Sequence, residues 1–165
     1  MRPFNCVGVG ERRALLDSQV CSGDVKLAMS HVVPDLVAKV LKGQDPVRIL
    51  GSGSQLRHYT YAGDLARGIS TAMSHPAALG EDFNLSSQAG TTVLELARLI
   101  WAKIKGPDVS LRVAHDPPFE QDVECRIPAT DKARRLLGFE ATTTLDQMLD
   151  EVIPWVAEAI EAGWV

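Results

Sequence analysis

Arg57 is the side chain whose setting points most directly to chemistry. It stands in the stretch Gly51-Ser-Gly-Ser-Gln-Leu-Arg-His-Tyr-Thr-Tyr-Ala-Gly-Asp-Leu-Ala-Arg-Gly68. That stretch reads as a Gly/Ser turn, a short strand and a helix opening near Asp64. Alternation along the strand puts Arg57, Tyr59 and Tyr61 on one face and His58 and Thr60 on the other. An arginine projecting just after a small-residue loop can fork onto a phosphate or a carboxylate through two parallel N–H bonds. His31 is a second candidate. It falls in the first turn of an expected helix, where unpaired N–H groups and the helix dipole favour an anion.

Other chemistries find no footing. The 4 histidines, at positions 31, 58, 75 and 115, share no metal-ligand spacing with one another or with the cysteines. Cys6, Cys21 and Cys125 contain no C-x-x-C and read as reduced, partly buried thiols. Asp116, Glu120, Asp122 and Glu124 read as a solvated acidic loop. Gly51-Ser-Gly53 lacks a third glycine and leads into a strand, so no helix N-terminus would meet a pyrophosphate there. Gly8-Val-Gly10 fails as a dinucleotide fingerprint in the same way. No Gly-x-Ser-x-Gly elbow occurs. Neither Tyr59 nor Tyr61 has a lysine four residues on.

A chain of 165 residues suits a single domain spanning 1–165 with a real core. Its composition, 45% hydrophobic and 23% charged, is that of an ordinary soluble protein. A net charge of -4 with dispersed basic residues argues against a nucleic-acid partner. With no transmembrane-like or signal-like run, a cytoplasmic location is expected and a membrane partner is not.

The elements that must position the candidates follow from periodicity and punctuation. Arg2 to Val7 reads as a strand ending at a loop, and residues 11–29 as surface. Ser30 is expected to cap a helix to about Leu41, with Val33, Leu36, Val37, Val40 and Leu41 on its buried stripe. Val47 to Leu50 is a short strand. The helix from Asp64 is expected to bury Leu65, Ile69, Ala72 and Met73. Asp82 to Leu85 reads as a strand. Thr92-Val-Leu-Glu95 is a capping box opening a helix that Gly106-Pro107 ends. Val109 to Ala114 reads as a strand, Thr130 to Leu137 as a short helix stopped by Gly138. Thr144-Leu-Asp-Gln147 opens a last helix to about Ala162, with Pro154 inside it. Few short strands interleave with about five helices, which is an α/β class.

Taken together, the motifs resemble the NAD-dependent epimerase/dehydratase family, the extended short-chain dehydrogenase/reductases that act on nucleotide sugars. The stretch around Arg57 is similar to a family signature whose arginine grips the substrate diphosphate, with His58 where an aspartate is usual. Arg2-Pro-Phe-Asn-Cys-Val-Gly8 resembles the family's Arg-Pro-Phe-Asn-x-Tyr-Gly-Pro strand, which gives Asn5 a phosphate contact. Ser30-His-Val-Val-Pro34 is similar to the segment beside the bound nucleotide, implicating His31 and Val32. The strand Val47-Arg-Ile-Leu-Gly51 matches one lining the base, with Arg48 and Leu50 as contacts, Leu50 standing where an aromatic is common. Asp122-Val-Glu-Cys-Arg126-Ile-Pro resembles the segment closing over the nucleotide, implicating Asp122 and Arg126. Phe119 occupies a position that is arginine in UDP-galactose 4-epimerases. Phe83-Asn84 and Leu136-Leu-Gly-Phe139 match structural parts of the pattern.

The resemblance implies the C-terminal part of an extended Rossmann-fold enzyme, without the N-terminal dinucleotide-binding half. The family's Gly-x-x-Gly-x-x-Gly loop and catalytic Tyr-x-x-x-Lys would precede Arg2. The chain is therefore expected to bind a nucleotide-diphosphate sugar and to carry no catalytic residue. NAD or NADP would belong to the complete enzyme, with none held by this chain alone. The rival is a non-catalytic binding or assembly module on the same scaffold. Either reading implies an open sheet edge, and hence self-association or docking of a complementary N-terminal half.

Overall fold

A computed structural model describes residues 1–9, 21–22, 25–26, 31–118, 120 and 122–165. The expected Ser30 cap, the Phe119 position and most of the loop over 11–29 lie outside them. The chain divides into two compact units. Unit 1 comprises Met1–Gly8, Gln55–Thr92 and Val123–Met148; unit 2 comprises Val9–Ser54, Val93–Asp122 and Leu149–Val165.

Unit 1 opens with β1 (Arg2–Pro3) and β2 (Cys6–Val7). The single strand expected over 2–7 is broken because Asn5 has φ 34, a left-handed conformation that asparagine tolerates better than most residues. The break sends the two halves to different partners. β1 runs parallel to β8 (Asn84–Leu85), and β2 runs parallel to β7 (Thr60–Tyr61). β6 (Leu56–His58) pairs antiparallel with β9 (Gly90–Thr92). α2 (Ala62–Ser74) and α4 (Asp131–Leu137) pack against each other. The core they enclose holds Leu65, Ala72, Phe83, Leu85, Ala133, Leu137 and Phe139.

The stripe on α2 differs from expectation. Leu65, Gly68 and Ala72 are buried, whereas Ile69 and Met73 are 38% and 82% exposed. Gly68 is the reason. A Cβ there would lie 2.7 Å from the Phe139 ring and 3.2 Å from Leu85, so the missing side chain lets the core come up to the helix backbone. The face turned inward is the one bearing the glycine.

In unit 2, α1 (Val32–Leu41) buries Val33, Leu36, Val37 and Val40 as its spacing predicts. Its N-cap is His31, whose side chain makes no capping bond. Gly43, at φ 77, ends it by donating to Val40 O at 3.1 Å. β5 (Val47–Leu50) pairs parallel with β10 (Val113–Asp116). The strand expected from Val109 begins only at Val113. Val109 is drawn into a turn, its N–H donating to Gly106 O and its carbonyl accepting from Trp101 Nε1 at 2.8 Å. α3 (Val93–Lys105) packs on α1 and buries Leu96, Ala97, Ile100 and Trp101.

Between Cys21–Ser22 (β3) and Val25–Lys26 (β4) the chain forms a short antiparallel pair, where a loop was expected. α5 (Leu145–Glu161) starts in unit 1 and continues in unit 2. Its capping box is made in both directions: Thr144 N donates to Gln147 Oε1 at 2.9 Å, and Gln147 N to Thr144 Oγ1 at 3.3 Å. α4 lacks the expected side-chain cap from Thr130, but Gly138 ends it at φ 61. Five α-helices and ten short strands among the described residues make an α/β chain. Among the described residues no helix is long and apolar enough to cross a membrane.

Candidate functional site

Three of the expected anion-binding residues, Asn5, Arg57 and Arg126, lie in unit 1 on or near β6. Asn5 Nδ2 donates to His58 O at 3.0 Å, and Asn5 O accepts from Thr60 N at 3.1 Å. The left-handed turn at Asn5 thus clamps its amide against the strand carrying Arg57. On the other side, Leu56 forms a parallel bridge with Cys125, and Leu56 N donates to Glu124 O at 2.7 Å. Arg126 is the next residue in the chain after Cys125. Arg57 Nη1 donates to Leu56 O at 2.9 Å and reaches Glu124 O at 3.4 Å. These carbonyl contacts tether one nitrogen of a half-buried guanidinium; Arg126 is exposed.

A guanidinium group offers a diphosphate parallel N–H donors. Asn5 adds a neutral amide with a second N–H still to donate. This arrangement can bind and orient a polyanion. It contains no group suited to moving a proton from carbon.

The remaining candidates lie in unit 2. His31 is exposed at the N-cap of α1, and Val32 is half-buried at its first position. Arg48 and Leu50 occupy the exposed positions of β5. Arg48 is held by Asp116, with Nε donating to Oδ2 at 3.1 Å and a second, shorter bond from Nη2. Asp116 is therefore a strand residue with an ion partner and not part of a solvated loop. Parallel pairing of β5 with β10 brings the two together across 68 positions, a register that no local pattern reveals. His115 adds a 2.8 Å contact from Nδ1 to Gly51 O. Asp122 is half-buried, and Glu120 and Glu124 are exposed.

The glycine pairs are packing features. Gly51 and Gly53 both have positive φ, 65 and 79. A Cβ on Gly53 would sit 2.7 Å from Ile49 and 3.2 Å from Leu94, and Gly53 O already accepts from Leu94 N at 3.0 Å. At Gly8 a Cβ would lie 2.8 Å from Ala62. Gly53 and Gly8 are therefore positions of close packing. Among the described residues no group of His, Cys, Asp and Glu could hold a metal ion. Cys6 and Cys125 are free and exposed, more so than expected.

Sequence reasoning missed Asp64 as an anchor. Its side chain is 6% exposed and pairs with Arg67. Asp64 Oδ2 accepts from Thr142 N at 3.1 Å and Thr143 N at 2.9 Å. Arg67 also donates to Glu140 O at 2.9 Å and lies over the Phe139 ring at 5.6 Å. Burial alone would raise the Asp64 carboxyl, but the Thr143 amide and Arg67 outweigh it and hold it below the ordinary value of 3.8.

Comparison with known proteins bears on family and fold. The sequence model described as GDP-mannose 4,6 dehydratase matches residues 25–152. UDP-glucuronic acid decarboxylase 4 of Arabidopsis thaliana is 33% identical over 122 residues, covering 72% of this chain and 26% of the decarboxylase. An epimerase from Methanothermobacter thermautotrophicus superposes with a TM-score of 0.78 at 28% identity, over 98% of this chain and 43% of that one. A UDP-glucuronic acid 4-epimerase from Bacillus cereus, solved with UDP-glucuronic acid and NAD, shares the fold at a TM-score of 0.75 and 20% identity. There the match covers 95% of this chain and 44% of the epimerase. The chain spans less than half the length of each of these relatives. On the family match and the shared fold, it belongs to the NAD-dependent epimerase/dehydratase family, the extended short-chain dehydrogenase/reductases.

Proposed function

We propose that this chain is the nucleotide-sugar-binding, C-terminal portion of an NAD-dependent epimerase, dehydratase or decarboxylase, and that UDP-sugars are its ligands. The observation that carries the reading is that Asn5 is bonded to the strand bearing Arg57, while Cys125, the neighbour of Arg126, bridges Leu56 on the same strand. His31, Val32, Arg48, Leu50 and Asp122 are assigned to the nucleotide. The UDP-sugar named for the Arabidopsis relative and bound in the Bacillus cereus structure supports that choice.

NAD or NADP would supply hydride transfer in the complete enzyme. This chain's own share is to bind and orient the substrate. With no Tyr-x-x-x-Lys in its sequence, proton transfer is assigned to residues outside it. A cytoplasmic setting goes with this proposal, supported by free thiols at Cys6 and Cys125.

Calorimetric titration with UDP-glucose, UDP and UMP tests the reading. UDP should bind more tightly than UMP, because the second phosphate engages the arginines. Each charge-assisted contact is worth about 1.5–3 kcal/mol, so Arg57→Ala should weaken UDP binding at least tenfold, since tenfold is about 1.4 kcal/mol. Equal affinity for UDP in wild type and Arg57→Ala would remove Arg57 from the site.

A further inference from the structure

Alternation puts His58 and Thr60 on one face of their stretch and Arg57 on the other. His58 and Thr60 are buried, at 5% and 0% exposure, and their side chains close on a single residue. His58 Nδ1 lies 3.1 Å from Ser87 O, and Ser87 N donates to Thr60 Oγ1 at 3.0 Å. A carbonyl oxygen only accepts, so Nδ1 carries the proton and donates. The ring is held at that nitrogen alone. Nε2 has no hydrogen-bond partner among the described residues, and it faces Gly90, where a Cβ would lie 3.3 Å away.

The same two residues are held a second time, through their main chain. Asn5 Nδ2 donates to His58 O at 3.0 Å, and Thr60 N donates to Asn5 O at 3.1 Å. Residues 58 and 60 are therefore gripped by Asn5 on the backbone and by Ser87 through their side chains. A strand pinned this way at i and i+2 cannot roll about its own axis. Rolling is the motion that would swing the residue one position before the pair, here Arg57, and would pull the Asn5 amide with it. Donors fixed in advance hold a ligand more tightly, because ordering them on binding subtracts from affinity.

We propose that His58 is a positioning residue for the diphosphate site. Its bond to Ser87 O, together with the bond from Ser87 N to Thr60, sets Arg57 and the Asn5 amide in place before the ligand arrives. The inference rests on the nucleotide-sugar reading and deepens it by naming what holds the donors.

The ratio of the UMP to the UDP dissociation constant, measured by calorimetry, isolates what the second phosphate contributes. His58→Leu should lower that ratio about fivefold, the size of one lost neutral hydrogen bond. His58→Asn places Nδ2 where Nδ1 stood and should restore the ratio. His58→Asp has the same shape but no proton to give, and should not. Thr60→Val is nearly isosteric and should lower the ratio in the same direction, which keeps the test open should His58→Leu fail to fold. Gly68→Ala, a destabilising change elsewhere in unit 1, should leave the ratio at its wild-type value. The proposal is overturned if either folded variant, His58→Leu or Thr60→Val, keeps the wild-type ratio. It is equally overturned if His58→Asp matches His58→Asn, or if Gly68→Ala lowers the ratio as much as the clamp variants do. Failure of the diphosphate reading itself looks different: Arg57→Ala then keeps the wild-type ratio, and the positioning role falls with it.

Discussion

Asp64 shows how one side chain holds a loop to a helix. It sits in the first turn of α2, where the dipole favours a carboxylate, and it satisfies the amides of Thr142 and Thr143. Asp64→Ala would orphan both N–H groups and free Arg67 from its partner. The expected loss is about 2–3 kcal/mol, read as a lower urea midpoint at pH 7. The acid limb follows from the direction of the shift. Because the folded carboxyl lies below 3.8, its contribution is complete above the unfolded value and disappears as pH falls through the folded one. Wild type and Asp64→Ala should therefore converge in stability as pH falls below the ordinary carboxyl value of 3.8, and a constant gap across that range would contradict the assignment. Sequence alone identified Asp64 as a helix opener and nothing more. Its partners lie 78 and 79 residues away, in a threonine run with no local signal. The strand carrying Arg57 was legible for the opposite reason: turn, strand and arginine are contiguous in one stretch.

At the scale of elements, punctuation was readable and facing was not. Gly43 and Gly138 end their helices at positive φ, and the Thr144/Gln147 box closes as its spacing demands. Strand boundaries failed where side chains or special backbone intervened, at Asn5 and at Val109. The α2 stripe failed because hydrophobicity ranks Ile69 and Met73 above a glycine, whereas close approach ranks Gly68 first. That inversion is testable. In an open helix position Gly→Ala stabilises by about 1 kcal/mol. At Gly68 the new methyl would meet Phe139 Cε2 at 2.7 Å and Cδ2 at 2.8 Å. Overpacking a filled core costs about 1–3 kcal/mol and should outweigh the propensity gain. Gly68→Ala should lower the melting temperature, and a raised one would show that the core can yield at Phe139.

For the molecule as a whole, the open question is what its exposed apolar surface meets. Met73 and Leu79 are 82% and 92% exposed and Ile127 is 69% exposed. β1 pairs with β8 alone among the described strands, although parallel sheets ordinarily run on in both directions. The free edge of β1 is a poor template, however. Arg2 N and Phe4 N already donate to Phe83 O and Leu85 O, so the outward position belongs to Pro3, which has no N–H to offer. Strand addition would therefore lack a donor at its centre, and apolar contact should dominate any association. We predict a weak self-association, seen as a sedimentation coefficient that rises from micromolar to near-millimolar concentration. Leu79→Lys and Met73→Lys together should reverse it, while Pro3→Ala, by restoring an edge donor, should strengthen it. A concentration-independent monomer would show that these side chains are merely solvated, and association unaffected by the two lysines but abolished by changes in β1 would return the contact to the sheet edge.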